Sequence, residues 1–329
     1  MYDNYRRPLS RRQRRRRSRF FVGAIVVITA GLFANYVQSQ HKNNQPIFSR
    51  PAIAKQNTET VTPPPFKVNP VWPEHAAAAA VGVKNHGTIA THGEEGQRPT
   101  ASVAKLITAL AILEKKPLEP GEEGPQIPIT ARDVKRYYDY VNQNGSVAEV
   151  HEGMPITERQ ALEAMLLPSA NNVADTTATW AFGSVTNYIK YANQMLEREG
   201  LTDTVVGGDA SGLNPKTKST TRDLVKLGDL ALSNPVIAEI VRQHQTEPLP
   251  QTGALPNYNR LVTNHGYTGL KLGDSNEAGV TLLFSANYNF AGQDYQMIGA
   301  VLGADSNYQP QESAYQFMES AKASVTPRN

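Results

Sequence analysis

The sequence predicts an α+β domain whose antiparallel sheet is built from N- and C-terminal segments, with a helical region between them and a transmembrane helix in front. Strand-like patterns occur at both ends of the folded region, in 76–83 and in 278–288 and 295–302. Helical patterns with start and stop signals occupy the interval between these strands. A basic arm and an apolar run open the chain and indicate membrane targeting.

The basic arm, residues 1–19, contains nine arginines and one acid and precedes an apolar run at 20–37. Because a positive flank stays in the cytoplasm, the rest of the chain is predicted to cross the membrane once and to lie outside the cytoplasm. A spanning helix needs about 20 apolar residues and a cleavable signal about 7–15. The long flank and the lack of a clean cleavage site favour a retained anchor over a removed signal. An arginine-rich arm that binds nucleic acid does not need the apolar run, so we predict no nucleic-acid partner.

Proline is frequent in residues 38–75, which are predicted to form an extended spacer between the membrane segment and a folded domain at 76–329. Hydrophobic residues make up 40% of the chain, enough for a large core. Cysteine is absent, which excludes disulfides, thiolate metal sites and a cysteine nucleophile. The seven histidines show no ligand spacing, so the sequence predicts no metal and no cofactor.

Four helices have recognisable starts in the middle of the chain. Thr100 is predicted to cap a buried helix over 101–114, and Thr157-x-x-Gln160 forms a capping box for a helix that stops before Pro168. Ser184 and Thr220 precede two further helical patterns, the first ending at Gly200. A last helix is predicted at 311–322.

Ser102 and Lys105 lie at the start of the buried helix. A spacing of three places both side chains on one face, where a lysine amine can take the serine's proton if burial lowers its pKa. The helix N-terminus adds N–H groups suited to a developing oxyanion. The pair therefore predicts a serine nucleophile with a lysine base, because an apolar helix has little other reason to bury Lys105.

Two more sequence motifs follow Ser102 and Lys105 along the chain, and their order makes them informative. Ser169-Ala170-Asn171 follows Pro168 between two helices, and alone it is typical of an ordinary turn or cap. Lys271-Leu272-Gly273 begins a segment that enters the strand pattern at 278–288, and alone Lys271 is typical of an exposed strand edge. Together with Ser102 and Lys105 they reproduce an S-x-x-K, serine-x-asparagine and K-T-G signature in sequence order.

The chain resembles the serine-type D-alanyl-D-alanine carboxypeptidases, low-molecular-mass penicillin-binding proteins with a β-lactamase/transpeptidase-like fold. Besides the three motifs, the resemblance rests on ALEAMLLPSANNVADTTA at 161–178, DASGLNPKTKSTTRDLVKLGDLALSNPVIAEIV at 209–241 and TGLKLGDSNEAGVTLLFSA at 268–286. It implies a peptidoglycan stem peptide ending in D-Ala-D-Ala as substrate and β-lactams as covalent inhibitors. It also implies that Ser102 forms an acyl-enzyme, that Lys105 is its base and that Ser169 relays protons.

The resemblance implies a second set of residues that bind substrate. Asn171 is expected to hold the substrate's amide, and Lys271 to supply positive charge to its terminal carboxylate. The backbone N–H groups of Ser102 and Asp274 match the oxyanion hole, and Gly273 completes the third motif.

Leu272 departs from the family pattern, which has threonine between Lys271 and Gly273. Leucine cannot donate a hydrogen bond to the substrate's carboxylate, a bond worth about 1.5–3 kcal/mol, and its bulk is expected to obstruct the cleft. Three outcomes stay open: a slow enzyme, a shifted substrate preference, or a catalytically silent peptidoglycan-binding relative. A class A-like β-lactamase is a further alternative, although 172–270 shows no loop with its deacylating glutamate.

Overall fold

The computed structural model describes residues 62–247, 249–250 and 252–328. Its centre is a five-stranded antiparallel sheet in the order β3-β2-β10-β9-β8. The N-terminal strand β2 pairs with the C-terminal strand β10 and carries β3 on its other edge, which confirms the predicted sheet of both chain ends. The sheet strands are β2 (Ala78–Val83), β3 (Gly87–Gly93), β8 (Tyr267–Ser275), β9 (Gly279–Phe290) and β10 (Gln293–Ala304).

Short strands form three further two-stranded pairs within the described residues. They are β1 (Phe66–Lys67) with β11 (Thr326–Pro327), β4 (Arg98–Pro99) with β7 (Lys218–Ser219), and β5 (Gln126–Pro128) with β6 (Pro155–Thr157).

Helices fill the interval between the two halves of the sheet, as predicted, and one more follows the last long strand. They are α1 (Lys105–Lys115), α2 (Ala131–Val141), α3 (Glu158–Leu166), α4 (Asn171–Phe182), α5 (Val185–Arg198), α6 (Thr221–Ser233), α7 (Pro235–Ile240) and α8 (Pro310–Ala323), with 3₁₀ turns at Ala101–Ala104 and Arg260–Thr263. The capping box of Thr157 and Gln160 is present, and Ser184 and Thr220 cap α5 and α6. The predicted cap at Thr100 is wrong: its side chain makes no capping bond, because the chain enters α1 through the 3₁₀ turn.

The sheet separates two apolar clusters because successive side chains of a strand point to opposite faces. Leu283 belongs to the first cluster, which holds α1 and α3 to α7 against one face. Leu282 belongs to the second cluster, formed with α8 on the other face. The first cluster buries the start of α1, so the helical region and the sheet meet at that point.

Residues that precede Ala76, the predicted start of the folded domain, already pack against that domain. Phe66 is fully buried, and its ring contacts those of Tyr288, Phe290 and Tyr295. Trp72 stacks on His92. The last part of the proline-rich segment therefore lies on the body, since proline fixes an extended backbone without preventing side-chain contact.

The predicted membrane segment at 20–37 lies outside the described residues. Among the helices of residues 62–328 that the structure describes, none combines the length and apolar character needed to cross a membrane.

Glu158, the first residue of α3, is fully buried, and neither carboxylate oxygen has a hydrogen-bond partner among the described residues. Burial raises its pKa to about 7, above the value near 4.3 expected in an unfolded chain. The folded protein therefore binds this proton more tightly, and stability should fall as pH rises from about 4.3 to 7. We expect Glu158→Gln to melt roughly 3–6 °C higher than the unaltered protein at pH 8 and by less than half as much at pH 5.

Thermal melts at the two pH values test this expectation. Glu152→Gln is the control, because that acid is exposed. Equal melting temperatures of Glu158→Gln and the unaltered protein at pH 8 would show that Glu158 does not carry this pH dependence.

Candidate active site

The 3₁₀ turn Ala101–Ala104 delivers Ser102 to the junction of the sheet and the helical region. Lys105 begins α1, and its Nζ lies 2.7 Å from Ser102 Oγ. The predicted proximity of the two side chains is confirmed, although a 3₁₀ turn rather than an α-helical turn provides it. The arrangement allows direct proton transfer between hydroxyl and amine.

Lys105 is fully buried and bound on three sides. Its Nζ donates to Asn171 Oδ1 at 2.7 Å and to the Ser211 carbonyl at 2.9 Å, besides contacting Ser102. Burial lowers the pKa of Lys105 to about 7, while the negative charges of Asp209 and Asp175 act in the opposite direction. A substantial fraction of this amine is therefore uncharged at neutral pH, as a general base requires.

Ser169 lies in the break between α3 and α4, and Asn171 is the first residue of α4. Ser169 has a positive φ of 68°, uncommon for a residue with a side chain, and is 4% exposed. Its Oγ is buried without a hydrogen-bond partner among the described residues. The structure joins Asn171 directly to Lys105 and leaves the Ser169 hydroxyl available to another group.

The third motif lies on β8, the edge strand beside the nucleophile turn. The sequence did not predict this strand as separate from β9, because glycines at 269 and 273 weaken its strand pattern; pairing with β9 forms it. Lys271 is 1% exposed, and its Nζ donates to the Leu272 carbonyl at 2.7 Å. Burial lowers the pKa of Lys271 well below its usual value, and the charge of Lys105 lowers it further.

Gly273 is pressed against the nucleophile turn. A Cβ added to Gly273 would lie 2.8 Å from the Ser102 backbone nitrogen and 3.0 Å from the Thr100 carbonyl oxygen. The edge of β8 therefore approaches the Ser102 N–H as closely as only glycine allows. Asp274, the next residue, is exposed and lines the adjacent cleft.

Leu272 is half-buried and packs against the second cluster, where it pairs with Leu282 across β8 and β9. Its side chain is only partly covered there, because β8 is the edge strand of the sheet. The expectation that leucine's bulk obstructs the cleft stays a prediction.

A cleft of about 740 Å³ lies beside this constellation. Its walls come from α2, α4, the turn 209–214 and the end of β8, and they include Tyr140, Asp175, Asp209 and Asp274. Sequence reasoning assigned no role to the first three. The available signal was the position of Asp175, one helical turn after Asn171, and the position of Asp209 at the head of DASGL.

The described residues contain no group of three or more histidine, aspartate or glutamate side chains placed to hold a metal ion.

Comparisons with known proteins agree with this geometry. A family model described as D-alanyl-D-alanine carboxypeptidase matches residues 66–306. The D-alanyl-D-alanine endopeptidase of Haemophilus influenzae is 28% identical over 200 residues, which cover 60% of this chain and 65% of that relative. The D-alanyl-D-alanine endopeptidase of Pseudomonas aeruginosa is 28% identical over 244 residues, covering 70% of this chain and 73% of the relative.

Solved structures share the fold. The Streptomyces K15 DD-transpeptidase superposes with a TM-score of 0.65 at 26% identity, covering 76% of this chain and 97% of that one. The D-alanyl-D-alanine carboxypeptidase of Mycobacterium tuberculosis superposes with a TM-score of 0.66 at 23% identity, covering 80% of this chain and 96% of that one.

Proposed function

Because the chain belongs to the D-alanyl-D-alanine carboxypeptidase family, we propose that it is a serine peptidase of peptidoglycan that acts through an acyl-enzyme on Ser102. One observation carries the proposal: a fully buried lysine with a pKa lowered to about 7 lies 2.7 Å from the serine hydroxyl. Its substrate is a stem peptide ending in D-Ala-D-Ala. No cofactor takes part in the proposed reaction.

The uncharged Lys105 amine takes the proton of Ser102 as the serine oxygen attacks the carbonyl carbon of the penultimate D-alanine. The N–H groups of Ser102 and Asp274 stabilise the oxyanion, and one such donor is typically worth about 2.7–4 kcal/mol. The amide bond breaks, and the leaving amine takes a proton that the buried Ser169 hydroxyl can relay. Water then hydrolyses the ester, with Lys105 again as base.

The same chemistry accounts for β-lactams as covalent inhibitors. Attack by Ser102 on the lactam carbonyl breaks the ring amide, but the leaving amine stays tethered to the acyl group. The acyl-enzyme therefore persists, which makes it a convenient readout.

Labelling of the full chain with a fluorescent penicillin tests the proposal. A stable covalent adduct should form on the unaltered protein and should be lost in Ser102→Ala. An adduct lifetime of minutes or longer supports the peptidase, whereas sub-second turnover selects the β-lactamase alternative. Failure to label, combined with binding to peptidoglycan fragments, selects the catalytically silent alternative.

Endopeptidase action is a second candidate within the same chemistry. The relatives from H. influenzae and P. aeruginosa carry that name. Incubation with a D-Ala-D-Ala pentapeptide and with a cross-linked stem-peptide dimer, followed by mass spectrometry, separates the two activities.

The lost hydroxyl at position 272 is one reason to expect a slow enzyme. We expect Leu272→Thr to raise the rate of penicillin acylation about tenfold, because a hydrogen bond to a charged group is worth about 1.5–3 kcal/mol. Leu272→Val is the matched control, since valine has threonine's shape without its hydroxyl. Acceleration by both variants would assign the effect to side-chain size, and acceleration by neither would exclude position 272 as the cause of attenuation.

We also assign the chain to the cell membrane, with the N-terminal segment 20–37 as a single-pass anchor and the catalytic domain on the extracytoplasmic side. The basic arm of residues 1–19 supports this orientation. Fractionation of cells that produce the full chain, with protease added to intact spheroplasts, tests it: the catalytic domain should stay with the membranes and be accessible from outside.

A further inference from the structure

Asp175 ties three parts of the site together. It lies on α4, one turn after Asn171, and is 9% exposed. Its Oδ2 accepts a hydrogen bond from the Tyr140 hydroxyl of α2 at 2.8 Å, and its Oδ1 accepts one from the Ala210 N–H at 2.8 Å. Each carboxylate oxygen therefore has a donor from a different part of the chain.

The turn 209–214 that Asp175 holds is also fixed from within. Asp209 Oδ1 accepts from the N–H groups of Ser211 at 2.8 Å and Gly212 at 2.6 Å. Its Oδ2 accepts from the Asn214 N–H at 2.8 Å. This Asp209 network shapes the turn but does not attach it to the helices, whereas the bond from Ala210 to Asp175 does.

The turn 209–214 also contacts α1 and the 3₁₀ turn that carries Ser102. The Ser211 carbonyl accepts from Lys105 Nζ at 2.9 Å, and the Ala210 carbonyl accepts from Thr108 Oγ1 at 2.7 Å. A Cβ added to Gly212 would lie 2.1 Å from the Ala101 carbonyl oxygen, so turn and nucleophile backbone are in direct contact. A small displacement of the turn 209–214 would therefore change the hydrogen bond between the Ser211 carbonyl and Lys105 Nζ.

We propose that Asp175 is a positioning residue for acylation: with Tyr140 it holds the turn 209–214 so that the Ser211 carbonyl keeps the Lys105 amine between Ser102 and Asn171. The inference rests on the proposed function for its kinetic consequence, but the geometric consequence at Lys105 stands apart from it. Asp175 touches neither Ser102 nor a reacting atom and acts through Lys105.

The negative charge of Asp175 also affects the pKa of the Lys105 amine. The charged groups that act on Lys105 are Asp175, Asp209 and Lys271, of which the two acids raise the pKa of Lys105. Asp175 itself is affected by burial, which raises its pKa, by Asp209, and by Tyr140 and Arg136 of α2, which oppose that rise. Removing the charge of Asp175 should therefore lower the pKa of Lys105.

Two substitutions separate position from charge. Asp175→Ala removes both acceptors together with the charge and should slow penicillin acylation about 10- to 100-fold above pH 8, where Lys105 is uncharged in both proteins. Asp175→Asn can still accept from the Ala210 N–H while its amide donates to the Tyr140 oxygen, so it should restore most of the rate. The acid limb of its pH–rate profile should move to lower pH, because fewer protons then compete for Lys105.

Asp223→Ala is the matched control, because Asp223 is a buried acid that accepts from the Asp203 N–H at 2.9 Å and from Thr204 Oγ1 at 2.7 Å. It should lower the melting temperature as Asp175→Ala does, but leave the acylation rate at 25 °C and its pH profile unchanged. Equal losses of rate in the two alanine variants would reduce Asp175 to a purely structural role and overturn the proposal.

A crystal structure of Asp175→Ala provides a readout that does not depend on reaction with penicillin. We expect the Ser211 carbonyl to move out of hydrogen-bond distance of Lys105 Nζ. An unchanged 2.9 Å contact would overturn the positioning role even if the unaltered protein proved not to react with penicillin. Absence of labelling in the unaltered protein, in contrast, would count against the proposed function alone.

Discussion

Lys105→Met should reduce acylation by a labelled penicillin about 100- to 10,000-fold, the usual contribution of a general base. Methionine fills a similar volume, so the packing of α1 should survive while the amine that contacts Ser102 Oγ at 2.7 Å is lost. In the unaltered protein the acylation rate should rise with pH through about 7, because the pKa of Lys105 is lowered to that value and only the uncharged amine can accept the proton. Stopped-flow labelling between pH 5 and 9 measures both effects.

Lys115→Met is the control for the Lys105 substitution, because Lys115 lies at the other end of α1 and is exposed. It should label at the rate of the unaltered protein. A Lys105→Met variant that labels normally would show that another group removes the serine's proton.

The second large effect is expected at Gly273. Gly273→Ala would place a methyl group 2.8 Å from the Ser102 backbone nitrogen, closer than a carbon atom can approach without displacing backbone. Either β8 moves away from the nucleophile turn or the Ser102 N–H is blocked. Loss of one oxyanion donor typically costs about 100- to 1,000-fold in rate, and we expect a loss of that size in penicillin acylation.

Gly96→Ala is the matched control for Gly273→Ala, because a Cβ at Gly96 would meet no atom within 4 Å. It should leave both the acylation rate and the melting temperature unchanged. If Gly273→Ala acylates at the rate of the unaltered protein, the close approach of β8 to Ser102 has no part in the reaction.

Local rules were enough to predict most of the fold from the sequence. The caps at Thr157, Ser184 and Thr220 depend only on the next three residues, and the structure confirms them. Thr100 obeys the same sequence rule, but the adjacent 3₁₀ turn removes its capping geometry. The edge strand β8 was not separated from β9 because its identity comes from pairing with β9 rather than from its own residues.

The candidate site likewise contains residues that local spacing predicts and contacts that only the tertiary fold creates. Ser102 and Lys105 were predictable because they lie three positions apart, and a helical turn brings such residues together. The bonds of Asp175 to Tyr140 and to Ala210 each join residues 35 positions apart, so only the tertiary fold reveals them. Leu272 shows a further limit: the sequence identified the substitution, but the face on which its side chain lies required the register of β8 and β9.

The contacts by which residues 62–66 join the folded body have a mechanical consequence. Thr62 lies beside the β2–β3 turn, where its carbonyl is 2.7 Å from His86 Nδ1, and Phe66 packs near the far end of β9. Asp274 pairs with Val280 at the opposite end of β9, and the strand's twelve residues span roughly 40 Å. Tension on the chain at residue 62 therefore loads β1 and the β9–β10 hairpin and spares the nucleophile turn.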